Sequence, residues 1–208
     1  KNHPSFNPMH GGTEAPGETL MKEAVAKVFA EQFTDRASAE KVLGKCHPAP
    51  LGNLREVKKG GSFKDRALLD PKWNRNNEMV VTPERVVHPR GIDHAIDLAE
   101  VSANGGTTYT LVLEYSDAFH YIPSATAERR CCCCNIPGLG FLVFRGMGFG
   151  GRSFPYVFCR VASVVSRLAQ AVVEPDGARL QLYMDDPIMC RTGGQEEVNQ
   201  TFNISILF

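Results

Sequence analysis

The sequence predicts an α+β fold, with antiparallel strands backed by helices, and three observations predict it. In "ARLQLYMDDPIMC", Leu180, Leu182 and Met184 alternate with Arg179, Gln181 and Tyr183, the period of a strand with one buried face. In "LGNLREVKKGGSFKDRALLD", two extended runs flank Lys59-Gly60-Gly61, which reads as strand, turn, strand. Over residues 156–173, Val157, Val161, Val164, Val165, Leu168 and Val172 recur at helical spacing, and the stripe is expected to pack on a sheet.

The remaining elements follow in chain order. Residues 1–17 are rich in Pro, Gly, His and Asn and read as a flexible N-terminal segment. Residues 18–50 read as a helical segment. Leu20, Ala24, Val25, Val28, Phe29 and Phe33 predict one helix over residues 18–33, a shorter helix covers residues 38–43, and "HPAP" breaks the chain. After "PERVVHPR" a helix is expected over residues 92–101, ended by Gly105-Gly106. The β-branched and aromatic run "TTYTLVL" predicts a strand over residues 107–113. "GFLVFRGMGFGG" predicts a strand and a glycine-rich turn, and "EPDG" stops the long helix. Pro187 has no N–H to give a ladder, so a turn or bulge is expected beside it, with residues 188–190 as a return strand. A last helix begins near Glu196.

The chain has 208 residues, room for one large domain or two small ones. With 43% hydrophobic and 22% charged residues and zero net charge, it is of ordinary globular composition and has no overall basic field. The charge is uneven: between Gly52 and Arg90, nine Lys/Arg face five Asp/Glu. Of seven cysteines, Cys131, Cys132, Cys133 and Cys134 are consecutive, which is not the spacing of a zinc site. They read as small, buried, reduced thiols pointing alternately to two faces of a strand in an intracellular protein, cytoplasmic or nuclear. No uninterrupted run of about 18 apolar residues is present, so no membrane partner is expected, and no secretory signal is seen. The chain opens on Lys1 and closes on "NISILF", which reads as a piece of something longer.

Asp185 and Asp186 stand side by side at the tip of a predicted hairpin. One reading is a pair of solvated turn aspartates. The other is a divalent metal site, since hard cations take oxygen ligands and neutralise paired carboxylates. The predicted strand over residues 107–113 also runs into acid, at Glu114 and Asp117. If the two strands are neighbours, their carboxylates converge, and converging carboxylates can hold two magnesium ions for in-line phosphoryl transfer. The basic hairpin upstream, from Arg55 to Arg66, then offers cations to a triphosphate.

These residues carry a resemblance to the fingers and palm of reverse transcriptases. "YMDDP" resembles the family's Tyr-x-Asp-Asp signature. "LEYSDAFHYIP" with "ERR" resembles its first acidic motif, and "MGFGGRSFPYVFCR" the motif between the two. "FKDRALLDPKWNRNN" and "PERVVHPR" resemble the upstream fingers segment of retroelement polymerases, with wording closest to those of dinoflagellate retrotransposons. The match covers residues 51–208, without a thumb or ribonuclease H segment. It implies an RNA-directed DNA polymerase that adds deoxynucleotides to a primer on an RNA or DNA template, using two Mg2+ or Mn2+ ions. Glu114, Asp185 and Asp186 would be the catalytic, metal-binding carboxylates, and the carbonyl of Tyr115 would complete one metal shell. Lys64 and Arg66 would contact the triphosphate, and Phe119 would be the aromatic gate against a 2′-hydroxyl. Gly150, Arg152 and Pro155 would shape the nucleotide and template floor.

The sequence departs from that pattern in places. The family has Asp where Glu114 stands, and the extra methylene moves the carboxylate by roughly 1 Å, a displacement that can cost about a hundredfold in rate. Phe149 stands where the family often has Gln. Two readings follow: an active polymerase domain, or an inactive copy that retains the fold and at most binds nucleic acid. An RNA-directed RNA polymerase shares the metal logic, but the bulk of Phe119 opposes a ribonucleotide.

Overall fold

The structure is a computed structural model that describes residues 16–58, 60–173 and 177–206. In chain order it forms α1 (Pro16–Ala26), β1 (Ala30–Phe33), α2 (Arg36–Leu43), β2 (Leu51–Val57), β3 (Phe63–Leu69), α3 (Gly91–Ser102), β4 (Thr108–Val112), α4 (Thr126–Arg129), β5 (Cys133–Ile136), β6 (Gly140–Phe144), α5 (Phe154–Val173), β7 (Arg179–Tyr183), β8 (Asp186–Thr192) and α6 (Gln195–Ile206). Short 3-10 turns lie at Asn76–Glu78 and Ala118–Tyr121. The strand pairs are antiparallel, in an α+β arrangement. Most of the expected flexible segment (residues 1–15), Lys59 of the expected turn, and residues 174–176 of the expected helix stop lie outside the described residues.

The chain divides into two compact units. The first, Lys1–Thr82 with Asp117–Phe154, holds the sheet β1-β6-β5 and the separate β2-β3 hairpin. Its sheet buries both faces. Met21, Phe29, Leu51, Ile136 and Leu142 fill one side, and Ala39, Cys46, Cys133, Phe141 and Val143 fill the other. The cysteine run behaves as alternation demands: Cys132 and Cys134 join the first cluster, Cys133 the second.

The expected helix over residues 18–33 is corrected to a helix and a strand. α1 ends at Ala26 because the chain turns left-handed at Val28, φ 63°. The Val28 N–H bonds to the Val25 carbonyl and the Phe29 N–H to the Ala24 carbonyl, the paired bonds of a Schellman stop. Phe29 joins the first cluster and Phe33 packs against the second, with Ala30–Phe33 a strand paired with β6, Ala30 opposite Phe144 and Phe33 opposite Phe141. The second expected helix starts two residues earlier than read and ends at the same Leu43. Asp35 caps it, its carboxylate accepting from the Ser38 N–H at 2.7 Å.

The second unit, Pro83–Ser116 with Pro155–Phe208, holds the sheet β4-β8-β7 with α3, α5 and α6. Val173, Ala178 and Met189 form its core with Leu111, Leu180 and Phe202. The expected valine stripe does not supply the buried face of α5: Val157, Val161, Val164, Leu168 and Val172 are 37 to 57% exposed. Phe158, Ala162, Ala169 and Val173 are buried instead. Two small alanines permit close approach where bulky residues would hold the helix off, so the buried face is the less conspicuous one. With an 18-residue window of mean hydropathy 1.4, α5 is also long and apolar enough to cross a membrane by length and composition. A count of uninterrupted apolar residues passes over this, because Arg160 and Arg167 interrupt the run.

Candidate carboxylate site

Strand order brings the acidic residues of the second unit together. β8 is the central strand, with β4 on one side and β7 on the other. Tyr183 pairs with Asp186, so Met184 and Asp185 form a two-residue turn. Such turns need positive φ, usually supplied by glycine or asparagine. Here Met184 takes it, at φ 55°, a strained conformation of the kind that gathers at functional sites. Pro187 is buried inside β8, and its missing N–H does not break the sheet. Its carbonyl accepts from the Leu113 N–H at 2.9 Å, and that of Asp185 from the Tyr115 N–H, also at 2.9 Å. These two bonds carry β4 past its formal end and set Glu114 beside the hairpin tip.

The electrostatics record that juxtaposition. Burial raises the Asp186 carboxyl above its ordinary range, and the charges of Asp185 and Glu114 push it the same way. Burial and then the charge of Asp185 raise the Cys159 thiol, so α5 flanks the tip. Burial also raises the Tyr115 phenol. A cavity of about 240 Å³ opens beside the turn, lined by Val86, His88, Cys159, Ser163, Leu182 and Met184 among others. His88 also packs against the Tyr183 ring at 5.0 Å.

Three carboxylates are the hard oxygen donors that magnesium and manganese take, and a cation would offset both the burial that chiefly raises Asp186 and the charges of Asp185 and Glu114 that add to it. In kind, as oxygen donors, the three fit a divalent ion. In placement, among the described residues no three His, Cys, Asp or Glu side chains close into a group that could hold one. Asp117, expected to join the acids, lies in the first unit and is bonded to Lys27 at 2.6 Å.

The other anticipated site residues, apart from Tyr115 and Pro155, also belong to the first unit. Lys64 and Arg66 share a face of β3, two residues apart. Two arginines of the basic stretch are paired within their own hairpin. Arg55 makes a bidentate pair with Asp65, both contacts at 2.8 Å, and Arg66 pairs with Glu56 at 3.2 Å. Phe119 is only 9% exposed and packs on Phe149, ring centroids 5.9 Å apart. Phe149 is the residue the sequence reading passed over. Its ring also lies under the Arg66 guanidinium at 5.7 Å and edge-on to His120, and its carbonyl accepts from the Leu69 N–H. The only signal for it was that it stands where reverse transcriptases often have Gln. Gly150 follows at φ 113°, and a Cβ there would fall 2.0 Å from the Leu69 carbonyl oxygen. That position requires glycine for the approach of two backbones. Asn77 spans the next residues, donating to the Gly150 carbonyl and accepting from the Arg152 N–H.

No protein-family model and no curated protein matches the chain.

Proposed function

We propose that the chain is the RNA-directed DNA polymerase domain of a retroelement, built on a fingers-and-palm plan, which extends a primer 3′-hydroxyl with deoxynucleotides on an RNA or DNA template. The observation that carries the reading is the Tyr115 N–H to Asp185 carbonyl bond, because it sets Glu114 of one strand beside the Asp185-Asp186 turn of another. The motif resemblance supplies the chemistry, and the raised Asp186 supports a site that gains from positive charge.

In this reading Glu114, Asp185 and Asp186 bind divalent magnesium or manganese. The chemistry a bound ion supplies is Lewis acidity toward a hydroxyl and neutralisation of phosphate charge. Tyr115 fixes the carboxylate strands to one another through its backbone. Lys64 and Arg66 contact the triphosphate, Arg66 by exchanging Glu56 for phosphate oxygens. Phe119 restricts the sugar, Gly150 holds the loop that carries Arg152, and Pro155 lies at the start of α5.

A second reading, an inactive copy of the same domain, is favoured by a specific observation: the three carboxylates do not close into an ion-holding group. Primer extension on RNA and DNA templates with magnesium or manganese separates the two. The polymerase reading expects extension by the parent, lost in Asp185→Asn. Extension by Glu114→Asp alone selects the inactive copy, and none by either protein rejects polymerase chemistry for this site.

A further inference from the structure

The segment "DPKWNRNN", residues 70–77, carries the chain's sole tryptophan, and none of the chemistry above uses it. Trp73 is 77% exposed. A bare indole in water forfeits much apolar burial, so its position calls for a cause. The backbone beneath it is firmly held. Asp70 accepts from the Lys72 and Trp73 N–H groups through its carboxylate. Asn74 donates to the His47 carbonyl at 2.8 Å and Asn76 to that of Cys131 at 3.2 Å. Asn77 is bonded to Gly150 and Arg152, as described above. The turn is therefore anchored on several sides, while the ring it carries stays exposed.

The cations on this turn and tied to it narrow the ring's partner. Lys72 is exposed and has no ion pair among the described residues. Arg152, tied to the same turn through its N–H, is likewise exposed and without an ion pair among them. Arg75 is engaged by Glu78 at 2.7 Å. An exposed aromatic ring on a turn that carries one unpaired cation, Lys72, and is bonded to the backbone of another, Arg152, suits single-stranded nucleic acid: bases stack on the ring while cations follow the phosphates. A rigid platform also loses little freedom on binding.

We propose that Trp73, with Lys72 and Arg152, is a stacking platform for single-stranded nucleic acid. The inference deepens the polymerase reading by naming where an unpaired template strand rests, but its test needs no catalysis. The single indole reports directly. The full chain is titrated with a single-stranded oligodeoxynucleotide, in chelator and without triphosphate, while indole fluorescence is followed. Saturable quenching is expected. An abasic strand of equal length and charge should bind more weakly and quench little. Trp73→Ala, followed by anisotropy of a labelled strand, should weaken binding about 5- to 100-fold, with Trp73→Phe in between. Lys72→Ala should lower the salt dependence by roughly one phosphate contact. Absence of quenching, or equal affinity for Trp73→Ala and parent, overturns the platform. So does a fluorescence change with lipid vesicles and none with the strand. Quenching in a chain that cannot extend primers leaves the platform standing and removes the polymerase reading; extension without quenching does the reverse.

Discussion

At the scale of single residues, the departures from expectation lie where a side chain occupies a conformation that its type disfavours. Val28 closes α1 in the left-handed region, where a β-branched residue is rare. Its side chain is 58% exposed, so little packing compensates. Val28→Gly is therefore expected to stabilise the first unit by about 1 kcal/mol, measured as a higher denaturant midpoint at unchanged slope. A lower midpoint would mean that the valine contributes packing that outweighs the strain. This residue also explains a misread boundary: nothing in "AVAKVFAEQF" marks a helix end, since the usual Gly or Asn is missing. Asp186 gives a pH-dependent prediction. Its folded-state pKa is raised, so the folded protein holds the proton more tightly than the unfolded chain does. The cost of ionising it is fully present above the folded value and vanishes below the ordinary 3.8. Asp186→Asn should accordingly melt higher than the parent at neutral pH, and the two should converge in acid. A variant less stable than the parent at neutral pH would show that the carboxylate makes a favourable contact larger than its repulsion.

At the scale of elements, legibility depended on whether the signal was local. The β2-β3 hairpin was readable because Gly60 and Gly61 supply positive φ between two extended runs. The β7-β8 hairpin was readable from alternation. The partners of β1 were not, because its contact with β6 joins residues more than a hundred positions apart. In α5 the helix was legible and its buried side was not, since Phe158, Ala162, Ala169 and Val173 carry the packing while Val157, Val161, Val164, Leu168 and Val172 stay exposed. β5 shows the intermediate case: the cysteine run predicted alternation, and both faces proved to be buried. Burial pushes the Cys132 thiol up to about 12 and those of Cys133 and Cys134 upward as well. Because the thiolate is the reactive form, these thiols should resist alkylation in the native protein. Mass spectrometry after brief iodoacetamide treatment should find the half-buried Cys131 labelled first, and Cys132, Cys133 and Cys134 only after unfolding. Native labelling of Cys133 at the rate of Cys131 would show that β5 opens readily.

At the scale of the whole molecule, the acids of the candidate site were legible as types and positions, while their mutual placement was not. "YMDD" and "LEYSDA" are local strings, but β8 lying between β4 and β7 is a property of the folded sheet. That sheet sets like charges on neighbouring strands and raises one of them, an arrangement that a divalent cation should relieve. An ion that binds only the native state stabilises it by mass action, so magnesium or manganese should raise the melting temperature in a concentration-dependent way. Asp185→Asn should abolish the rise. Magnesium demands near-ideal octahedral geometry, so a carboxylate misplaced by one methylene weakens its binding more than that of a tolerant cation. Glu114→Asp therefore tests the alternatives directly. A rise in the parent that is absent from Asp185→Asn supports a working site that accepts glutamate. A rise in Glu114→Asp and none in the parent identifies a domain whose fold outlived its chemistry. A rise that survives Asp185→Asn places the bound ion away from the hairpin and removes the metal role from this turn.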